Sequence, residues 1–83
     1  MVIKITYVNG VIVEYSDFSN WDKLKKNKII EIDCWNNKLT SLPELKECKL
    51  LQELSCSNNN LTSLPELKEC KLITRLYCSN NKL

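Results

Sequence analysis

Residues 51–72 decide the fold, and they read Leu-Gln-Glu-Leu-Ser-Cys-Ser-Asn-Asn-Asn-Leu-Thr-Ser-Leu-Pro-Glu-Leu-Lys-Glu-Cys-Lys-Leu. Nearly the same wording occupies residues 29–50 and begins again at residue 73. Equivalent positions recur every 22 residues, as Leu54 and Leu76 show. A fixed period of about 20–29 residues with this apolar spacing is typical of a stacked solenoid.

The repeated positions also carry a family resemblance. They are Leu51, Leu54, Cys56, Asn59, Leu61 and Leu64. They resemble the leucine-rich repeat, Leu-x-x-Leu-x-Leu-x-x-Asn-x-Leu-x-x-Leu, with Cys56 in the third leucine position. The short period is similar to internalin-like and other 22-residue classes, and the Asn- and Lys-rich wording resembles repeat proteins of giant amoebal viruses and some AT-rich bacteria. The resemblance implies protein binding on the concave face of a solenoid.

The predicted fold class is α/β, mostly β: a leucine-rich-repeat solenoid of about 2.5 coils over residues 29–50, 51–72 and part of a third, 73–83. Strand side chains alternate, so each coil should turn two side chains inward, as with Leu54 and Cys56, and build a small parallel sheet. Pro43 and Pro65 have a φ suited to a first helical position, which predicts short helical or 3₁₀ turns on the convex side.

A structural asparagine ladder is predicted at Asn37, Asn59 and Asn81. A tight bend at the edge of the sheet leaves backbone amides and carbonyls that need partners, and a buried amide side chain can supply both kinds of bond. Each of these asparagines should therefore turn inward and bond to the backbone of stacked turns.

Residues 1–28 are predicted to form an N-terminal cap, beginning with a hairpin over residues 2–15. Asn9-Gly10 predicts a two-residue type I′ turn, because that turn needs positive φ at both positions. This register pairs Val8 with Val11 and Tyr7 with Ile12. In this register one face of the hairpin carries Ile3, Ile5, Tyr7 and Ile12. We predict that this face packs into the core.

Residues 19–27 are predicted to form a short helix that completes the cap. Ser19 is the expected N-cap, with Asp22 three positions later. Phe18, Trp21 and Leu24 lie on one stripe. We interpret Trp21 as a core residue; a surface anchor for a partner is the alternative.

Composition excludes several classes of function. The net charge is only +2, with acids and bases interleaved, which argues against nucleic acid and membrane surfaces as partners. No stretch reads as a secretory signal or a spanning helix, so the expected location is cytoplasmic, or the host cytoplasm if the source is viral. We interpret the sequon Asn60-Leu61-Thr62 as a chance match.

Catalysis and cofactors are not expected. The chain has no histidine, which removes the usual general base and the commonest metal ligand. A cysteine nucleophile would lack its base. The five cysteines occupy repeat positions and are interpreted as small buried hydrophobes; disulfides between stacked neighbours, or a metal site, remain alternatives.

The sequences of the repeats differ at the outward strand positions, and these positions are therefore the candidate concave binding face. They are Glu31, Asp33, Trp35, Glu53, Ser55, Ser57, Arg75, Tyr77 and Ser79. Trp, Tyr and Arg are enriched at binding hot spots. The alternative is that an open sheet face simply carries mixed polar residues.

A second candidate surface lies at the last strand, where Leu72, Ile73, Leu76 and Leu83 would meet water. Proteins normally cover such edges. We predict self-association through this edge, as a two-fold dimer. The function predicted is thus a non-enzymatic interaction module or scaffold with a protein partner. The alternative is a structural fragment of a longer repeat array without a function of its own.

Overall fold

Five strands form a single open sheet in the computed structural model, which describes residues 2–83. Their order across the sheet is β2-β1-β3-β4-β5. The strands are β1 (Ile3–Tyr7), β2 (Ile12–Tyr15), β3 (Ile29–Asp33), β4 (Glu53–Ser55) and β5 (Arg75–Tyr77). Met1, the first residue of the predicted segment 1–28, lies outside the described residues.

The repeats supply the three parallel strands, and the 22-residue period sets their register. Ile32 lies beside Leu54, and Leu54 beside Leu76. The same pairing continues beyond the strand ends: the Cys34 amide donates a hydrogen bond to the Ser55 carbonyl at 2.8 Å. The predicted mostly-β architecture with a small parallel sheet is therefore confirmed.

The core lies under one face of this sheet, where apolar side chains from the strands meet those of the returning chain. The buried apolar residues are Ile3, Ile5, Trp21, Ile29, Ile32, Cys34, Leu45, Cys48, Leu51, Leu54, Cys56, Leu61 and Cys70. Four of the five cysteines are among them, which agrees with their interpretation as small buried hydrophobes.

The predicted helical turns after Pro43 and Pro65 are wrong. The chain instead returns through successive reverse turns: the Cys48 amide donates to the Leu45 carbonyl at 2.9 Å, and the Leu51 amide to the Cys48 carbonyl at 3.2 Å. The next repeat uses the same two bonds. A helix would not recover its nucleation cost over so few residues, whereas these turns place Leu45 and Cys48 in the core.

The hairpin forms, but its predicted register is wrong by one residue. Ile5 pairs with Val13 and Thr6 with Ile12. The loop has three residues: the Gly10 amide donates to the Tyr7 carbonyl at 2.8 Å, and Gly10 alone in the loop has positive φ, at 87°. This is a type I turn closed by a bulged glycine, the other common use of a glycine in short hairpins.

The shifted register exchanges the two faces of β2. Ile12, predicted in the core, is 60% exposed. Tyr15 instead packs against the core, and its hydroxyl lies 3.2 Å from that of Tyr7. Burial, followed by this hydrogen bond, raises the pKa of Tyr7 to about 12. The choice of Ile3 and Ile5 for the core is confirmed.

The predicted helix over residues 19–27 is also wrong. Two 3₁₀ turns, Trp21–Lys23 and Lys26–Lys28, take its place. Ser19 does not cap either one, and the extended Leu24 separates them, with ψ at 153°. The segment is too short for a helix to hold without tertiary support. Trp21 is nevertheless buried, and its indole N–H donates to the Glu44 carbonyl at 3.1 Å.

Strand β1 joins the hairpin to the repeats by pairing antiparallel with β3, Ile5 beside Ile32. The register shifts between Thr6 and Tyr7, which marks a bulge. Within residues 2–83, no helix has the length and apolar character needed to cross a bilayer. The coil count and the capping role of the hairpin stay predictions.

Candidate functional site

The outward positions of the repeat strands lie together on the open side of the sheet. Glu31, Glu53 and Arg75 form one row across β3, β4 and β5. Asp33, Ser55 and Tyr77 form the next. Trp35, Ser57 and Ser79 follow just beyond the strand ends. We call this surface, with the hairpin residues added below, the outer face.

Two polar contacts tie neighbouring repeats together on the outer face. Arg75 Nη1 lies 3.3 Å from Glu53 Oε1, and the Ser79 hydroxyl lies 3.2 Å from that of Ser57. Such exposed pairs contribute only about 0–1 kcal/mol each. Trp35 is 55% exposed and Tyr77 51% exposed, so neither aromatic belongs to the core.

The hairpin widens the outer face, which the sequence reasoning missed. Lys4 lies beside Asp33 and Thr6 beside Glu31 on the antiparallel side of β3. Glu14 and Ile12 follow on β2. At about 4.8 Å per strand, the face is about 19 Å across instead of about 10 Å. The alternation of polar and apolar residues in β1 was the available signal.

A cleft opens where the hairpin meets the first repeat, and it encloses about 480 Å³. Its lining residues are Val2, Lys4, Glu14, Asp33, Trp35, Asn36 and Asn37. Asp33 Oδ1 is buried and has no hydrogen-bond partner among residues 2–83. Natural proteins leave few buried oxygens unpaired, so each one calls for an explanation.

Asn59 bonds to two repeats at once. Its Oδ1 accepts hydrogen bonds from the amides of Asn37 and Leu39, both at 2.9 Å. Its Nδ2 donates to the carbonyls of Cys56 at 2.9 Å and Cys34 at 3.1 Å. The side chain is 5% exposed, so each of these backbone groups depends on it for a partner.

The flanking asparagines show how this arrangement begins and continues. Asn37 has no preceding repeat; its Nδ2 donates to the Val2 carbonyl at 2.9 Å, and its Oδ1 accepts from the Val2 amide at 3.2 Å. Asn81 reaches back to the Leu61 amide at 3.0 Å and to the Cys56 carbonyl at 3.0 Å.

A second set of asparagines has a backbone role that the sequence reasoning did not assign. Asn36, Asn58 and Asn80 have φ of 59°, 57° and 56°. Asparagine tolerates this left-handed region better than most residues do. Each one bends the chain at the end of a strand, just before the ladder asparagine. The doubled Asn-Asn in every repeat was the signal.

Residues predicted as a self-association edge lie along β5, which has a neighbour on one side only. Leu72, Leu76 and Leu83 are 48%, 41% and 60% exposed. Ile73 is half-buried and packs against the core. In the earlier repeats the Cys34 and Cys56 amides donate to the next strand; the amide of Cys78 has no such acceptor among residues 2–83.

The thiols form two columns under the sheet, and all five are free. Burial, followed by the nearby Cys56 thiol, raises the pKa of Cys34 to about 12. Burial raises the pKa of Cys48 to about 12 and that of Cys56 to about 11. Neutral thiols are poor nucleophiles. Within residues 2–83, no three His, Cys, Asp or Glu residues gather as a metal site would require.

Stacked strands in register, bent by asparagines and filled by leucine and cysteine, define a repeat protein. A family model described as "Leucine Rich repeats (2 copies)" matches twice, over residues 27–69 and 49–83. The chain belongs to the leucine-rich repeat family. No curated protein and no solved structure matches it. The likeness to internalin-like or viral members stays a prediction, as does the cytoplasmic location.

Proposed function

We propose that this protein is a non-enzymatic interaction module that binds a protein partner through the outer face. Leucine-rich repeat domains generally mediate protein–protein interaction. The observation that carries the proposal is a contrast between the two faces. Inward positions such as Ile32 and Leu54 stay aliphatic and buried. In contrast, the outward row formed by Asp33, Ser55 and Tyr77 changes in charge and size from strand to strand.

The two exposed aromatic side chains make the outer face suited to binding. Trp35 and Tyr77 supply large rigid surfaces that lose little entropy on contact, and both residue types are enriched at hot spots. A standard interface needs about 800 Å² per partner. Three short strands offer little of this area, so we infer that the hairpin residues beside β3 belong to the binding surface.

The hairpin also has a structural role in this proposal. We infer that it covers the first repeat as an N-terminal cap. Three contacts support this role: β1 pairs with β3, Val2 supplies the backbone partners of Asn37, and Trp21 bonds to Glu44 in the first returning segment. Repeat arrays need such an end to be soluble.

The test is capture of partner proteins from an extract of the source cells by the immobilised chain. Trp35→Ala combined with Tyr77→Ala should abolish specific capture and leave the far-ultraviolet circular dichroism unchanged. Lys46→Ala combined with Lys68→Ala alters two exposed side chains outside the sheet and is the matched control. Equal capture by all three proteins would contradict the proposal.

A second candidate function is self-association through β5 and its exposed leucines. The exposure of Leu72, Leu76 and Leu83 favours it, as does the unpaired strand edge. Antiparallel pairing of β5 with its copy would make a two-fold dimer with a continuous sheet. Sedimentation at rising concentration should show a dimer that Leu72→Lys with Leu83→Lys converts to monomer. A protein that stays monomeric at every concentration would rule out self-association through β5.

A further inference from the structure

The outer face carries surplus negative charge on a chain whose net charge is positive. Its acidic residues are Glu14, Glu31, Asp33 and Glu53, and its basic residues are Lys4 and Arg75. The face therefore has a formal charge of −2, while the whole chain has +2. The remaining surface accordingly carries +4. Charge of opposite sign to the face is what a partner should present.

The unpaired acids cluster on β3, the middle strand of the sheet. Glu31 lies directly beside Glu53 on the neighbouring strand, and like charges placed opposite one another destabilise a sheet. Arg75 pairs with Glu53 at 3.3 Å. Neither Glu31 nor Asp33 has an ion pair within residues 2–83. Places where a chain departs from the locally stable choice are expected to be functional.

The cleft beside these acids combines a carboxylate with an exposed aromatic ring. Trp35 borders it, and Asp33 and Glu14 line it. The buried Oδ1 of Asp33 has no hydrogen-bond partner within residues 2–83. Lys4 also lines the cleft and lies between Glu14 and Asp33 in register, so one negative charge is left over. A guanidinium group stacks on indole rings and pairs with carboxylates, which suits arginine better than lysine.

We propose that the outer face recognises a basic segment of its partner protein, with an arginine side chain entering the cleft against Trp35 and Asp33. This inference rests on the proposed function and specifies its partner chemistry. The arginine supplies the positive charge that Glu31 and Asp33 on β3 lack. A short extended segment matches a face about 19 Å across.

The probe is an octaarginine peptide, compared with octalysine and octaglutamate, and binding is followed by calorimetry at low and at physiological salt. Octaarginine should bind and weaken as salt rises, octalysine should bind several-fold more weakly, and octaglutamate should not bind. Glu31→Gln with Asp33→Asn should weaken octaarginine binding by tenfold or more. Trp35→Ala should weaken it several-fold.

The matched control is Glu44→Gln with Glu66→Gln, which removes the same charge from exposed residues outside the sheet. It should change octaarginine binding by twofold or less. An internal control is the second tryptophan: the Trp35 indole N–H resonance should shift on titration, while that of the buried Trp21, bonded to Glu44, should not. Melting temperatures verify that every variant is folded.

Three results would overturn the inference: no binding of octaarginine, equal weakening by the two double substitutions, or equal affinity for octaarginine and octalysine. Its failure can be told apart from failure of the proposed function. If octaarginine fails but Trp35→Ala with Tyr77→Ala still abolishes capture of a natural partner, the outer face binds protein of another chemistry. If capture is also unaffected, both proposals fall.

Discussion

The last repeat has nearly the same sequence as the two before it and very different surroundings. Ile32 and Leu54 are each 1% exposed, whereas Leu76, the third residue of the same row, is 41% exposed. Leu61 is fully buried and Leu83 is 60% exposed. The difference comes from the neighbours: β3 and β4 each lie between two strands, and β5 has only one. The same position therefore contributes differently to the free energy of unfolding in different repeats.

A large difference in stability is predicted between equivalent leucines of the inner row. Leu54→Ala should lower the free energy of unfolding by about 2–5 kcal/mol, because it leaves a cavity in a packed core. Leu76→Ala should cost about 1 kcal/mol, since much of the side chain is already in water. Urea unfolding of both variants measures the contrast. Equal losses would mean that the open end is covered in solution, as self-association would require.

The next prediction compares the asparagines. Asn59→Ala should cost about 2–4 kcal/mol, because it strips partners from buried amides such as that of Leu39, and each unsatisfied group costs about 1–3 kcal/mol. Asn81→Ala should cost about half as much, because water reaches its turn. Denaturant midpoints, with unchanged slopes, test the pair. A larger loss for Asn81 would contradict the structural contrast.

Alkaline pH should destabilise the protein through the buried thiols of the first two repeats. The folded state raises the pKa of Cys34 to about 12 and that of Cys56 to about 11, against 9.0 for an unperturbed thiol. Their contribution to stability is complete well below pH 9 and is lost as pH rises from 9 toward 11–12, because over this range the thiols lose their protons in the unfolded state but keep them in the folded state.

The expected loss is about 1 kcal/mol per buried thiol between pH 9 and 10, measured by unfolding under reducing conditions. Cys56→Ala is the informative variant. Although less stable at neutral pH, it should lose less stability over this pH interval than the parent protein does. A parent protein whose stability is flat up to pH 10 would show that the thiols are not buried in solution.

The smallest effect is predicted for the exposed aromatics. Trp35→Ala and Tyr77→Ala should each change stability by no more than about 0.5 kcal/mol, as substitutions of exposed residues usually do. Trp21→Ala is the contrasting variant and should cost about 3–5 kcal/mol, because that ring is buried. Thermal melts report both. A large loss from Trp35→Ala would make it a structural residue and weaken the binding proposal.

Prediction from sequence was most successful where a residue repeats and least successful where a segment occurs once. The hairpin was located from its turn residues, but Asn9-Gly10 is compatible with both a two-residue and a three-residue loop, and the choice exchanged Ile12 for Val13 on the inner face. The segment after it contains Trp21 and Leu24 at helical spacing, yet a 3₁₀ turn is enough to bury Trp21, and Leu24 is extended and only partly buried.

The candidate site follows the same division. The outward residues of the repeats could be named in advance, because alternation along a strand puts them on one side. The contribution of Lys4 and Glu14, and the cleft around Asp33 and Trp35, required the pairing of β1 with β3. That pairing joins residues about thirty positions apart, and no local pattern specifies it.

The sequence by itself determined the period, the family and the inward positions, because backbone geometry makes every 22-residue unit repeat the same strand and bend. Only the tertiary structure decided which copies of those positions are buried, in which register the hairpin pairs with the first repeat, and which side chains line the cleft. Burial depends on whether a neighbouring strand is present, and that is a property of the whole assembly.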